Sequence, residues 1–278
     1  MVNNSKQEKE NKDNIVLILA IILLIIIFFL IYKIGGYLID EISSVLYSKD
    51  LQENVLIIDT EDTESISIDS VSNTDSASTE KKQEEVPEKV IKIPTAVDFE
   101  SLYKVSKDTV AWIYDPGMVI NYPIAQAEDN DYYLRRNLSG KSSSAGTLFM
   151  DYRNSGDFSD WNTLIYGHNM KSGTMFASLL DYRMPNYYEE HPVMYLYVPG
   201  KRYKLELIVA YTTDVNDAIY QLPTTDEERQ AALNRAYRLS NFESGIRPDK
   251  EDRLVTLSTC SYAYDDARYV VIGRLVEE

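Results

Sequence analysis

The chain holds a single cysteine, Cys260, at the end of the run Thr256-Leu257-Ser258-Thr259-Cys260, and an arginine, Arg268, follows eight residues later. A thiol with a guanidinium near it is equipment for nucleophilic attack on a carbonyl. The thiolate is the attacking species, and a group that stays charged at any working pH can hold thiolate or oxyanion charge without competing for the proton. Such a reaction also needs a proton donor for the leaving group, and the chain has two histidines. His168 sits in Ile165-Tyr166-Gly167-His168-Asn169-Met170, just past an apolar segment, where a side chain can project from a strand end. His191 lies between Glu190 and Pro192, in a polar lead-in that reads as surface. Strand-end placement favours His168. On spacing alone each residue keeps a plainer reading: free cysteine is commonly a small buried hydrophobe, a lone histidine is commonly structural, and Arg268 could pair on the surface with Asp265 or Asp266.

The compartment shifts that balance. Residues 15–32 run without a charge, Gly or Pro, and at 1.5 Å per residue they cover roughly 27 Å, close to a bilayer's hydrocarbon core. A cleaved signal peptide has a shorter apolar region and a small-residue cleavage site, whereas Lys33, Ile34, Gly35 and Gly36 follow here. The expectation is a single uncleaved anchor over 15–36, a cytoplasmic tail over 1–14, and the bulk of the chain outside the cell. Lysines 6, 9 and 12 before the span, against Lys33 and Lys49 after it, bias the N-terminus to the cytoplasm. Outside, a fold held by disulfides would carry paired cysteines; one unpaired thiol is a candidate for reactivity.

The net charge of −16 is unevenly spread, with twelve Asp/Glu against three Lys between residues 50 and 90. That stretch lacks helical or strand periodicity and is expected to be a disordered acidic tether within a 37–93 linker. The sequence does not decide whether residues 37–47 extend the membrane helix or form a separate one. No clustered basic face points to nucleic acid, and no EF-hand loop or Cys/His ligand set points to a metal.

The elements that must position the thiol lie in a domain expected over 94–278. A helix is expected at 98–106, followed by strands at 110–114, 119–123, 147–151, 162–166, 194–198, 203–212, 254–259 and 269–275. Eight short strands between turns predict a mostly β fold, a closed or nearly closed barrel. Two helices interrupt them, at 175–180 and 225–240. The second opens on Thr225 and Glu228 with capping-box spacing and offers Ala231, Leu233, Ala236, Tyr237 and Leu239 as its apolar face. It lies in a long connection, 214–253, that is either a binding loop or a packed decoration.

The motifs together resemble a known family. Thr256 to Cys260 resembles the TLxTC signature of sortases, Tyr166-Gly167-His168-Asn169-Met170 resembles their histidine motif, and Arg268 falls where their essential arginine follows the cysteine. Met175-Phe176-Ala177 after the histidine, Asp129-Asn130-Asp131-Tyr132-Tyr133-Leu134 upstream, and a helix before the cysteine strand are similar to class B members. The resemblance covers residues 98–278. It implies a sortase-like eight-stranded β-barrel with peripheral helices, and a transpeptidase needing no cofactor and no metal. Cys260 would attack the Thr carbonyl of a C-terminal sorting signal, with an NPxTx-type signal expected. His168 would protonate the departing amine, and Arg268 would hold the oxyanion. Asn130, Leu134 and Ser258 would line the substrate groove. The partners implied are surface proteins bearing such signals and an amine from a peptidoglycan cross-bridge, its lipid-linked precursor, or a pilin lysine. Pilin polymerisation is the less favoured alternative, because Asp115-Pro116 falls inside the barrel region and not in a lid before it.

Two rival classes remain. A papain-like peptidase, acting by hydrolysis alone, places its cysteine on a helix and before the histidine in the chain, the reverse of the order here. A silent membrane-anchored binding domain would have no use for thiol, imidazole and guanidinium in family order.

Overall fold

A computed structural model describes residues 2–57, 93–117, 120–261 and 263–278, with side chains from residue 17 onward. Most of the acidic tether lies outside the described residues. The chain divides into two compact units, Met1–Tyr47 and Ser48–Glu278.

The first unit belongs to one helix, α1 (Val2–Val55), which runs unbroken through the expected anchor and residues 37–47. Among the described residues it is the helix long and apolar enough to cross a membrane. From Leu17 to Tyr32 its described apolar side chains are exposed, Phe28 by 74%.

The second unit starts earlier than the boundary expected at residue 94. Leu51 and Val55, four residues apart on one helical face, are buried, and Gln52 Nε2 donates to the Asn121 carbonyl at 2.8 Å. The chain then forms β1 (Leu56–Ile57), paired antiparallel with β2 (Ala96–Val97). The signal for this packing is two apolar residues inside an acidic stretch, too short to show a period.

After α2 (Phe99–Val105), capped by Asp98 accepting from the Ser101 amide, come β3 (Thr109–Tyr114), β4 (Asn121–Ala125), β5 (Leu148–Met150) and β6 (Asn162–Tyr166). A four-residue helix, α3 (Tyr187–Glu190), precedes β7 (Val193–Val198) and β8 (Lys201–Asp214). The chain ends with α4 (Asp226–Leu239), β9 (Leu254–Cys260) and β10 (Ala267–Glu277). The last eight strands close a barrel in the order β10-β8-β7-β3-β4-β5-β6-β9. The β4–β5 and β6–β9 pairs are parallel, the others antiparallel. The expected strands are all present, their ends shifted by at most two residues. The helix expected at 175–180 is instead a 3-10 segment, Ala177–Arg183, entered through Met175 at positive φ.

Two apolar cores explain why β9 is buried along nearly its whole length. Val255 and Leu257 point into the barrel with Ile113, Leu196 and Val271. Leu254 points outward, where Ile208, Val270, Ile272, Tyr220, Leu233 and Ala236 cover the sheet. A strand covered on both faces reads as a continuous apolar run and loses the period of two. The outer cover is α4, which is started by a capping box between Thr225 and Glu228. Its buried stripe is Ala232, Leu233 and Ala236; Ala231 and Leu239, expected on that face, are exposed. Within the 214–253 connection α4 packs as a decoration, while Val215, Tyr220 and Gln221 line a groove at the barrel end.

Candidate active site

The barrel order sets the site. β9, which ends at Cys260, lies between β6 and β10. On one side β6 runs parallel to it, with Tyr166 beside Ser258, so the chain leaves the barrel toward His168 next to the chain reaching Cys260. Three hydrogen bonds lock these ends: Gly167 N to Ser258 O at 3.1 Å, Thr259 Oγ1 to Gly167 O at 2.7 Å, and Asn169 Nδ2 to Cys260 O at 2.9 Å. Gly167 is needed for close approach, since a Cβ there would stand 2.4 Å from Leu148 Cδ2 and 2.6 Å from Phe176. On the other side β10 pairs antiparallel with Arg268 directly opposite Cys260. Opposed residues in such a pair share a face, with Cβ atoms about 4.5–5.5 Å apart.

Cys260, His168 and Arg268 are half-buried and line one groove of about 410 Å³. Asn130, Leu134 and Ser258 line the same groove, so all six residues read from the sequence meet there. His191 does not. It follows α3, half-buried, its ring 4.4 Å from Tyr187 and against Gly117. That burial pulls its pKa down, against the charges of Glu190 and Asp181; a free surface position, as expected from the sequence, is not what it occupies. Arg268 forms no ion pair with Asp265 or Asp266; its Nη1 donates to the Ala267 carbonyl at 3.2 Å.

The contacts refine what each residue offers. His168 Nε2 lies 2.7 Å from the Leu134 carbonyl, and a carbonyl only accepts, so Nε2 carries the proton there. Leu134 thus acts on the imidazole through its backbone. Ser258 is 2% exposed, its hydroxyl 2.7 Å from that of Tyr220, which in turn stacks on Tyr166. Burial, reinforced at Tyr166 by the Asp151 charge, pushes both phenols above their ordinary pKa, so they stay protonated.

Sequence reasoning missed the groove's polar floor. Asp151, just after β5, is fully buried and accepts from Arg153, Tyr166 and Asn130. Burial alone would raise its carboxyl; the bonds from Arg153 and Tyr166 outweigh that and hold it below the usual range. Asn130 is fixed at both ends, since its Oδ1 accepts from the Tyr152 amide at 3.1 Å. The available signal was Asp151 closing the strand expected at 147–151 with Arg153 two residues on, alternate positions that share a side.

A closed barrel bearing thiol, imidazole and guanidinium on three adjacent strand ends is an architecture for acyl transfer from a peptide carbonyl. Comparison with known proteins gives the particular family. The sortase domain matches residues 113–276. Sortase B of Listeria monocytogenes is 40% identical over 185 residues, spanning 64% of this chain and 74% of that protein. The Staphylococcus aureus sortase B–substrate complex superposes with a TM-score of 0.60 at 34% identity, covering 64% of this chain and 84% of that one. A sortase B complexed with triglycine gives 0.59 at 34% identity, with 64% and 85% covered. The chain belongs to the sortase family, as a class B sortase enzyme.

Proposed function

We propose that this enzyme is a membrane-anchored transpeptidase that cleaves a C-terminal sorting signal of surface proteins and joins the new carboxyl end to a cell-wall amine. The observation that carries the reading is the register pairing of Arg268 with Cys260, with the His168 chain hydrogen-bonded along the other side of the same strand. Cys260 Sγ attacks the scissile carbonyl carbon, and the oxyanion that forms is held by Arg268. His168 gives a proton to the departing amine as the C–N bond breaks, leaving a thioacyl enzyme. The incoming amine then attacks that carbonyl, passes a proton to His168 and expels the thiolate. Because Nε2–H is held by Leu134 O, Nδ1 is the nitrogen that exchanges the proton.

Asn130, Leu134 and Ser258 act in the substrate groove, Ser258 through Tyr220. Of the similar proteins, one was solved with substrate and another with triglycine. By analogy the acyl donor here is a sorting-signal peptide, and the acceptor is an amine such as that of a peptidoglycan cross-bridge, its lipid-linked precursor, or, in the pilus-building alternative, a pilin lysine. The apolar stretch at 15–36 holds the protein in the cell membrane as a single pass, with residues 1–14 cytoplasmic and the 94–278 domain outside, joined through residues 37–93, of which Leu51, Val55 and β1 pack with that domain. The test is product identity. Incubated with sorting-signal peptides and amines, the enzyme should give the amide product, and Cys260→Ala should give none while its circular dichroism is unchanged. Hydrolysis alone, with amine present in excess, would favour a peptidase instead.

A further inference from the structure

The groove holds a charged pair that no step above uses. The two oxygens of buried Asp151 accept from Arg153 Nε at 2.8 Å, Arg153 Nη2 at 2.8 Å, the Arg153 amide at 3.0 Å, Tyr166 Oη at 2.9 Å and Asn130 Nδ2 at 3.1 Å. Arg153 Nη2 also donates to the Tyr220 carbonyl at 3.1 Å. The Arg153 side chain is 39% exposed and lines the groove with Cys260. Among the described residues its Nη1 makes no hydrogen bond. The groove therefore meets the free edge of a guanidinium whose charge is already cancelled from below. The other guanidinium lining it, Arg268, has no ion pair among the described residues and lies opposite Cys260 in register.

A ligand carboxylate set on the Arg153 edge would bring a second full negative charge close to buried Asp151. A carbonyl or carboxamide would take the same N–H donors without that repulsion. We propose that Arg153 is a specificity-determining residue of the acyl-donor groove, taking an uncharged carbonyl or carboxamide of the substrate peptide at Nη1. Asp151 is the positioning residue that fixes and neutralises it, and so disfavours a carboxylate. This rests on reading the groove as the acyl-donor site.

The test uses the full chain in detergent micelles, carrying Cys260→Ala, and peptides spanning the residues upstream of the scissile bond. The peptides come in pairs that differ only by Asn against Asp, or Gln against Glu, at one position at a time, and binding is read by fluorescence anisotropy. At one position the carboxamide should bind on the order of tenfold more tightly than the carboxylate. Adding Asp151→Asn, which keeps the shape and removes the charge, should cut that ratio several-fold at the same position. Equal weakening of both members of the pair would show a merely structural role and overturn the proposal. Absence of any carboxamide preference before Asp151 is touched would overturn it as well, and that measurement does not depend on Asp151→Asn folding. Failure of the transpeptidase reading registers separately, as wild-type enzyme that yields no thioacyl adduct by mass spectrometry with peptides that do bind selectively.

Discussion

Gly146 offers a direct handle on the imidazole. It adopts φ +63°, and a Cβ placed on it would stand 2.7 Å from the carbonyl oxygens of both Leu134 and Tyr133. The Leu134 oxygen is the atom that meets His168 Nε2 at 2.7 Å. Gly146→Ala therefore carries two separable costs. The left-handed backbone costs about 1–2 kcal/mol for any residue with a Cβ. The second cost is local, because the Leu134 carbonyl must retreat by roughly 0.5 Å to reach ordinary contact distance. That movement stretches the histidine hydrogen bond toward its useful limit or drags the ring with it. Misplacing a reacting group by about 1 Å can cost on the order of a hundredfold in rate, so kcat/KM should fall about ten- to a hundredfold. Gly200→Ala is the matched control, since Gly200 has φ +78° and its Cβ would meet nothing within 4 Å. It should lower the melting temperature by a similar backbone cost and leave turnover alone. Single-turnover formation of the thioacyl enzyme and thermal melts of both variants make the comparison. If Gly146→Ala melts like Gly200→Ala and keeps kcat/KM within about twofold, the Leu134 carbonyl does not position His168.

Arg268→Ala should lower kcat by roughly 10²–10³, the usual cost of removing one oxyanion donor, and Arg268→Lys should recover only part of it because the planar fork is lost; steady-state transpeptidation measures both. Thr225→Ala removes the cap of α4 and should cost about 1 kcal/mol in urea unfolding, with kcat/KM unchanged because the helix packs on the barrel's outer face. The Asp151 carboxyl is held below the usual range, so its contribution to stability is present above the unfolded-state value and is lost as pH falls through the folded-state value. The wild-type melting temperature should therefore drop below about pH 4 more steeply than that of Asp151→Asn. Equal acid dependence of the two proteins would remove Asp151 from the account.

What the sequence reveals follows from the length of the pattern each element leaves. β6 and β9 are short apolar runs bounded by turns, and their ends at Tyr166 and Cys260 were readable almost to the residue. α4 announced its start through Thr225 and Glu228, but which residues faced inward depended on the barrel's curvature, and Ala232 replaced Ala231 in the buried stripe. Leu51 and Val55 gave two apolar positions in an acidic stretch, too few to set a period, so their packing was invisible. The Asp151–Arg153 pair was hidden for a different reason. A carboxylate and a guanidinium two residues apart look like ordinary surface charges; that Asp151 is buried beneath a half-exposed Arg153 depends on Tyr166 and Tyr220 arriving from strands and turns distant in the chain.

The three residues of the proposed triad are held by unequal means. Cys260 and Arg268 lie opposite each other where two strands adjacent in sequence pair, and seven successive register pairs between β9 and β10 fix them, so their relation is local and survives small shifts of the barrel. His168 shares the groove with the thiol only because β6 lies parallel to β9, a pairing between segments about ninety residues apart that cannot form until the barrel closes. The compensation is visible at the strand ends, where Thr259 and Asn169 each spend a side-chain hydrogen bond tying the two chains together. In the mechanism proposed here the oxyanion partner is thus set by the hairpin and the proton carrier by the barrel. A substitution that loosens the β6–β9 seam should then weaken proton transfer first, while Arg268 stays in register with the thiol.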